Sequence, residues 1–181
     1  MRYSVFLSLI CLLPGLLHAD PKPAAGKKQL NLVESYQLIE EFLSEEKHGD
    51  AVKQCRSFLS GVNGSPSLMD RAQVNLYLAL SLERLGKDEE AIQEYGKLWT
   101  RYRGWIHITT PAISSWMQLM WKRNRPAQEG VMANREEAVL HGRRYVHEWR
   151  GRKDKMKQKD REAFSRFEKL VQQYEAELKK E

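Results

Sequence analysis

The sequence has little cysteine, and no long apolar run follows its first 20 residues. Cys11 and Cys55 are the two cysteines among 181 residues, of which 30% are charged. Loss of an N-terminal leader containing Cys11 would leave Cys55 alone, which excludes an internal disulfide. We interpret Cys55 as a small buried side chain on a helix face rather than as a reactive thiol. This composition predicts one soluble domain behind a removable segment.

The chain also lacks the residue patterns of a catalytic or metal site. It contains no nucleophile elbow, phosphate-binding loop, zinc-type spacing or calcium loop. His48 and His107 are isolated, and His141 and His147 are six residues apart, so they do not share a helix face. We therefore predict no catalytic residues, no metal, no cofactor and no enzymatic activity.

The N-terminus resembles a secretory signal peptide. Arg2 supplies positive charge, and Val5–Leu17 is an apolar run shorter than the about 20 residues of a membrane span. We predict a signal peptide over residues 1–19 with cleavage after Ala19, and an uncleaved anchor is the alternative. Residues 20–29 contain prolines, lysines and a glycine without apolar periodicity, so we predict a flexible linker there.

Leucine and alanine dominate Ala72–Tyr102, where β-branched residues are scarce, which predicts two helices joined by a turn. Gly86 is placed to end the first helix in a left-handed cap, and Asp88 to cap the second. The small side chains of Ala79 and Ala91 would let the two helices approach closely.

Two further hairpins are predicted in the domain of residues 30–181, beside the one at 67–102. The first spans about residues 30–60 and turns at Gly49-Asp50, and Ser65 or Ser67 can cap the helix that follows. The third spans about residues 111–150, after a connection predicted to be extended because it is rich in β-branched residues. Thr110-Pro111 would begin that hairpin, and Asn134 with Glu137 could form a capping box in it.

A long helix is predicted over residues 154–180. Its apolar residues recur every three or four positions: Phe164, Phe167, Val171, Tyr174 and Leu178. We interpret it as a helix that caps the end of a repeat stack, with a coiled-coil partner helix as the alternative.

The second hairpin resembles a tetratricopeptide (TPR) repeat. The resemblance is carried by residues at that family's packing positions: Leu78, Ala79, Leu82, Gly86, Ala91, Tyr95 and Leu98. It implies an all-α, right-handed solenoid of about three degenerate helical hairpins with a concave face that binds a partner. The residues at matching concave positions are Gln73, Leu76, Leu80, Glu83 and Arg84. The ending EAIQEYGKLWTRY is similar to TPR domains of exported bacterial envelope proteins.

Two groups outside that hairpin are further binding candidates. Trp105, in the connection between hairpins, could line a binding groove, because tryptophan is enriched at binding hot spots.

The net charge of +6 and pI near 9.3 would suit nucleic acid, but the leader argues against that partner. Anionic lipid or wall polymer could instead bind five residues of a basic run at 143–161, where a solvated linker is the alternative. These five are Arg143, Arg144, Arg150, Arg152 and Lys153.

The sequence therefore predicts a non-catalytic adaptor of the bacterial cell envelope, exported to the periplasm, that binds another protein through its concave face. A structural protein held electrostatically through residues 143–161 is the competing hypothesis. An accessory subunit of an envelope enzyme and a eukaryotic secretory origin stay open.

Overall fold

A computed structural model describes residues 30–61, 64–126 and 133–180, so the predicted signal peptide and linker lie outside the described residues. The described residues form helices and no strand, which confirms the all-α prediction. The helices are α1 (Leu32–Ser44), α2 (His48–Leu59), α3 (Leu68–Arg84), α4 (Asp88–Arg101), α5 (Ile106–Arg123), α6 (Asn134–Arg150) and α7 (Gln158–Leu178), with a short 3-10 helix at Lys153–Lys155.

The turns of the first two hairpins have the same geometry. Gly86 ends α3 with a φ of 70°, as predicted, and the Lys87 amide donates to the Leu82 carbonyl at 2.9 Å. In the first hairpin the left-handed residue is Glu46, with a φ of 57°, and the prediction of a turn at Gly49-Asp50 is wrong. Gly49 lies inside α2. Both turns are Schellman motifs, and their left-handed residues are 40 positions apart.

Helix starts match the sequence predictions in part. Ser67 caps α3 in a capping box with Asp70. Asp88, in contrast, is the first residue of α4 rather than its cap. Its carboxylate and those of Glu89 and Glu90 lie in the first turn, where negative charge interacts favourably with the helix dipole. The predicted capping box at Asn134 is also wrong, because Asn134 lies inside α6 and makes no side-chain cap.

The third hairpin begins earlier than predicted. Helix α5 starts at Ile106, so Thr110 does not cap it and Pro111 lies in its second turn. Ile108 and Thr109 are buried among neighbouring helices, and this burial outweighs the weak helix propensity of β-branched residues. Pro111 itself is exposed.

Every helix packs against the next one in sequence, and α5 also contacts α3 and α7. Between α1 and α3, the Tyr77 hydroxyl donates to Glu40 at 3.3 Å, and the rings of Tyr36 and Tyr77 are 6.2 Å apart. The odd-numbered helices α1, α3, α5 and α7 therefore lie side by side. Between the two hairpins, the fully buried Cys55 lies in the core as predicted, and burial raises the pKa of its thiol to about 12.

Candidate functional site

Helices α5 and α7 run in the same direction and enclose a groove of about 580 Å³, the α5–α7 groove. His107 and Thr110 near the start of α5 line it together with Asp160 and Ala163 near the start of α7. The floor is apolar because Phe167 is buried there, and the rim carries charged and amide side chains. The residues that form this rim are His107, Gln118, Lys159, Asp160 and Arg166.

A second cavity, the α3–α5 hollow, lies where α3, α5 and α7 come together near their C-terminal ends. Its volume is about 550 Å³, and it is lined by Glu83, Arg84, Gly86, Asp88, Gln118, Leu119, Trp121, Lys122 and Tyr174. The rings of Trp121 and Tyr174 stack 4.1 Å apart at an angle of 8°. Gln118 lines both cavities, so they form one surface, which we name the α3–α5–α7 face.

The predicted concave residues divide into two groups. Glu83 and Arg84 line the α3–α5 hollow, whereas Gln73, Leu76 and Leu80 line no cavity described here. Leu76 is buried in the core and Leu80 packs against it. Only the C-terminal turn of α3 therefore contributes to this face.

Glu83 also has a structural contact. The buried Tyr95 hydroxyl donates to its carboxylate at 2.7 Å, which joins α4 to α3. Burial, together with this hydrogen bond, raises the pKa of Tyr95. Arg84 is exposed and is the better of the two for testing binding without disturbing the hairpin.

Sequence reasoning missed most of the α3–α5–α7 face. Gln118 and Lys122 were not predicted, and Trp121 is half-buried with its ring against Tyr174. The available signal was the four-residue spacing of Gln118 and Lys122, which places polar side chains on one side of an otherwise apolar helix. Trp105 lines neither cavity, and its ring stacks on Tyr102 at 5.4 Å.

The basic residues of the predicted anion site mainly contact their own chain. Arg143 pairs with Glu175 at 3.0 Å, while Arg150 and Lys153 both reach Glu168, at 3.2 and 2.9 Å. These three pairs join residues 143–153 to α7. The α6–α7 groove beside them measures about 700 Å³ and has basic side chains on α6 and acidic ones on α7.

The other two basic residues of that prediction differ in their surroundings. Arg152 lies over the Trp149 ring at 5.3 Å. Arg144 lines the α6–α7 groove and is exposed. Arg143, Arg144 and Arg150 therefore line one groove, which Arg152 and Lys153 do not.

The two histidines of α6 lie in different surroundings. His141 lies between the rings of Trp99 and Trp116, at 5.2 and 5.5 Å, and burial lowers its pKa. His147 is exposed and lines the α6–α7 groove. In the described part of the chain, no three metal-binding side chains come together.

Comparison of the chain with protein-family models, with curated proteins and with solved structures finds no match. Among the described helices, none is both long enough and apolar enough to span a bilayer.

Proposed function

We propose that this protein is a non-catalytic adaptor that binds a partner protein through the α3–α5–α7 face. The observation that carries the proposal is the continuity of that face, where two cavities meet at Gln118 and combine the stacked rings of Trp121 and Tyr174 with an exposed polar rim. A half-buried aromatic side chain inside a polar rim, as Trp121 is here, is typical of binding hot spots.

The TPR-like solenoid is part of the same proposal. Two observations support it: the same turn occurs at Glu46 and at Gly86, and the odd-numbered helices lie side by side. Both are expected of stacked helical hairpins. Export to the periplasm or cell envelope is supported by the sequence of residues 1–19 alone.

The competing proposal, electrostatic attachment through residues 143–161, receives less support. Arg143, Arg150 and Lys153 pair with carboxylates of α7, so part of this charge is neutralised within the chain. Attachment through the remaining cations would weaken steeply as salt rises, whereas binding by desolvated aromatic side chains would change little.

A matched pair of glutamines offers a direct test. Gln118 on the proposed face and Gln93 on α4 are both exposed, and Gln93 lines neither cavity. We would replace each with a photo-crosslinking amino acid and irradiate the full chain in extract of its source organism. We expect one discrete protein adduct from position 118 and none from position 93. Equal adducts from both positions would contradict the proposal.

A charge-reversed variant sharpens this test. Arg84→Glu combined with Lys122→Glu changes the rim and leaves the Tyr95–Glu83 hydrogen bond in place. We expect the adduct at position 118 to disappear while the helical circular dichroism signal is unchanged. An adduct that survives this change, but is lost in moderate salt together with vesicle binding, would support attachment through residues 143–161 instead.

A further inference from the structure

A different cavity, the N-terminal hollow, lies at the opposite end of the helical layer. It measures about 370 Å³ and is lined by Leu32, Val33, Tyr36, Gln37 and Glu40 of α1, Phe58 of α2 and Asp70 of α3. It shares no residue with the α3–α5–α7 face. A ligand of the N-terminal hollow would therefore bind at a site separate from the α3–α5–α7 face.

Exposed apolar side chains are concentrated beside this hollow. Among the described residues, four large apolar side chains are exposed: Val33 (65%), Leu68 (60%), Leu85 (44%) and Met69 (42%). Val33 lies in the first turn of α1, and Leu68 and Met69 lie in the first turn of α3. Since α1 and α3 run side by side in the same direction, three of the four surround one end of the protein. Clustered exposed apolar residues mark interaction sites, whereas scattered ones do not.

The rim of the N-terminal hollow is acidic. Glu40 and Asp70 line it from different helices, and α1 contains Glu34, Glu40 and Glu41 but no lysine or arginine. Burial and contact with Tyr77 raise the pKa of Tyr36, and the negative charges of Glu40 and Asp70 raise it further. The apolar floor thus has two carboxylates beside it, one on α1 and one on α3.

We propose that the N-terminal hollow binds a basic amphipathic helix of a partner protein. An apolar side chain of that helix would contact Leu32, Val33 and Tyr36, and its lysines or arginines would lie beside Glu40 and Asp70. An apolar groove with one sign of charge on its rim selects an amphipathic helix of the opposite sign.

Two occupants from the chain itself fit this hollow less well. A second copy in a two-fold contact would place Glu40 and Asp70 against like charges. Residues 20–29 contain Lys22, Lys27 and Lys28, but they include no apolar side chain larger than proline that could fill the floor.

The test uses the full chain and a fluorescent synthetic helix of about 18 residues, or five turns, with leucine on one face and lysine on the other. Binding is measured by fluorescence anisotropy. We expect Val33→Gln to weaken binding by about tenfold, whereas Leu85→Gln, the matched change at the remaining exposed apolar residue, leaves it unchanged. Glu40→Gln should weaken binding by about threefold, and Glu148→Gln, at an exposed glutamate on α6, should not.

Four results would overturn the proposal. The first is equal affinity of the wild type and Val33→Gln, and the second is equal binding of a peptide with glutamate in place of lysine. The third is a zero-length crosslink between Lys27 or Lys28 and Glu40 or Asp70 in the free protein, which would identify the chain's own N-terminal segment as the occupant. The fourth is a dimer in sedimentation that Val33→Gln dissociates, which would identify a second copy.

Discussion

The first and last helices of this domain have similar sequence patterns and different degrees of burial. In α7 the apolar residues Phe164, Phe167, Val171 and Tyr174 are all buried, because the helix packs against both α5 and α6. In α1 only Ile39 is a buried apolar residue, while Tyr36, Phe42 and Leu43 are half-buried and Val33 is exposed. Among the described residues, α7 covers the C-terminal end of the stack, whereas no described element covers the outer side of α1.

The difference follows from the number of neighbours that each helix has. Helix α7 spans 21 residues and lies across two helices, whereas α1 spans 13 residues and packs mainly on α2. A stack of helical hairpins leaves an apolar surface at each end that must be covered to be stable in water. Within the described part of the chain, the end at α1 is therefore the less covered of the two.

The largest expected effect is loss of a buried ring from α7. Phe164→Ala removes a fully buried side chain and should lower the free energy of unfolding by about 3–5 kcal/mol. Phe42→Ala, at a half-buried position of α1, should cost less than half as much. Urea denaturation of both variants measures this, and equal losses would contradict the comparison.

Gly142 of α6 packs closely against both α5 and α7. A Cβ atom at Gly142 would lie 2.6 Å from Met117 Sδ and 2.9 Å from Val171 Cγ2. Gly142→Ala should therefore destabilise the protein by about 1–3 kcal/mol in thermal or urea unfolding. Gly49→Ala in α2 is the control, because nothing lies within 4 Å of its added Cβ and helix propensity favours alanine. If both variants gain stability, the packing of α7 described above is wrong.

The ion pairs that join residues 150–153 to α7 make a smaller contribution to the free energy of unfolding, and this contribution depends on pH. Burial alone would raise the pKa of Glu168, but hydrogen bonds from Lys153 and Arg150 outweigh it and hold the pKa below its usual range. The stabilisation is complete above the unfolded-state pKa of about 4.3 and is lost as the pH falls through the lower folded-state pKa.

Glu168→Gln should accordingly cost about 1 kcal/mol at neutral pH and progressively less below pH 4 or so. Urea midpoints measured across this range give the comparison, with Glu148→Gln as the control. A cost for Glu168→Gln that does not change with pH would show that the carboxylate is not stabilised by these partners.

The smallest effect on stability is expected at the open end. Val33→Gln should change the free energy of unfolding by less than about 0.5 kcal/mol, because the side chain is 65% exposed. The same variant should abolish most peptide binding at the N-terminal hollow. A large loss of stability instead would mean that α1 is covered by its own chain after all.

Much of the fold could be predicted from the sequence, because the spacing of apolar residues and the residues that form turns and caps are local features. Ser67 was one of the two predicted caps of α3, and the apolar stripe of α7 and the left-handed Gly86 were predicted in place. The turn at Glu46 was not, because a non-glycine residue in the left-handed region has no sequence signal. The start of α5 was missed because burial of Ile108 and Thr109 depends on helices distant in sequence.

The candidate site was less predictable than the fold. Glu83 and Arg84, predicted to lie on a concave face, line the α3–α5 hollow because both are at the C-terminal end of α3. Gln118 and Tyr174 were not predicted to lie at the site. They line the same hollow because α7 packs against α5, which the sequence does not indicate. Ion pairs of Arg150 and Lys153 with Glu168 also join residues too far apart in sequence to be paired by pattern alone.

Hydrogen exchange measured by mass spectrometry tests the contrast between the two ends most directly. With the protein alone, amides of residues 36–44 in α1 should exchange about tenfold or more faster than those of residues 164–174 in α7. Addition of the basic amphipathic peptide should slow exchange in α1 and leave α7 unchanged. Equal protection of the two helices in the free protein, or slowing confined to α7, would contradict an open N-terminal end.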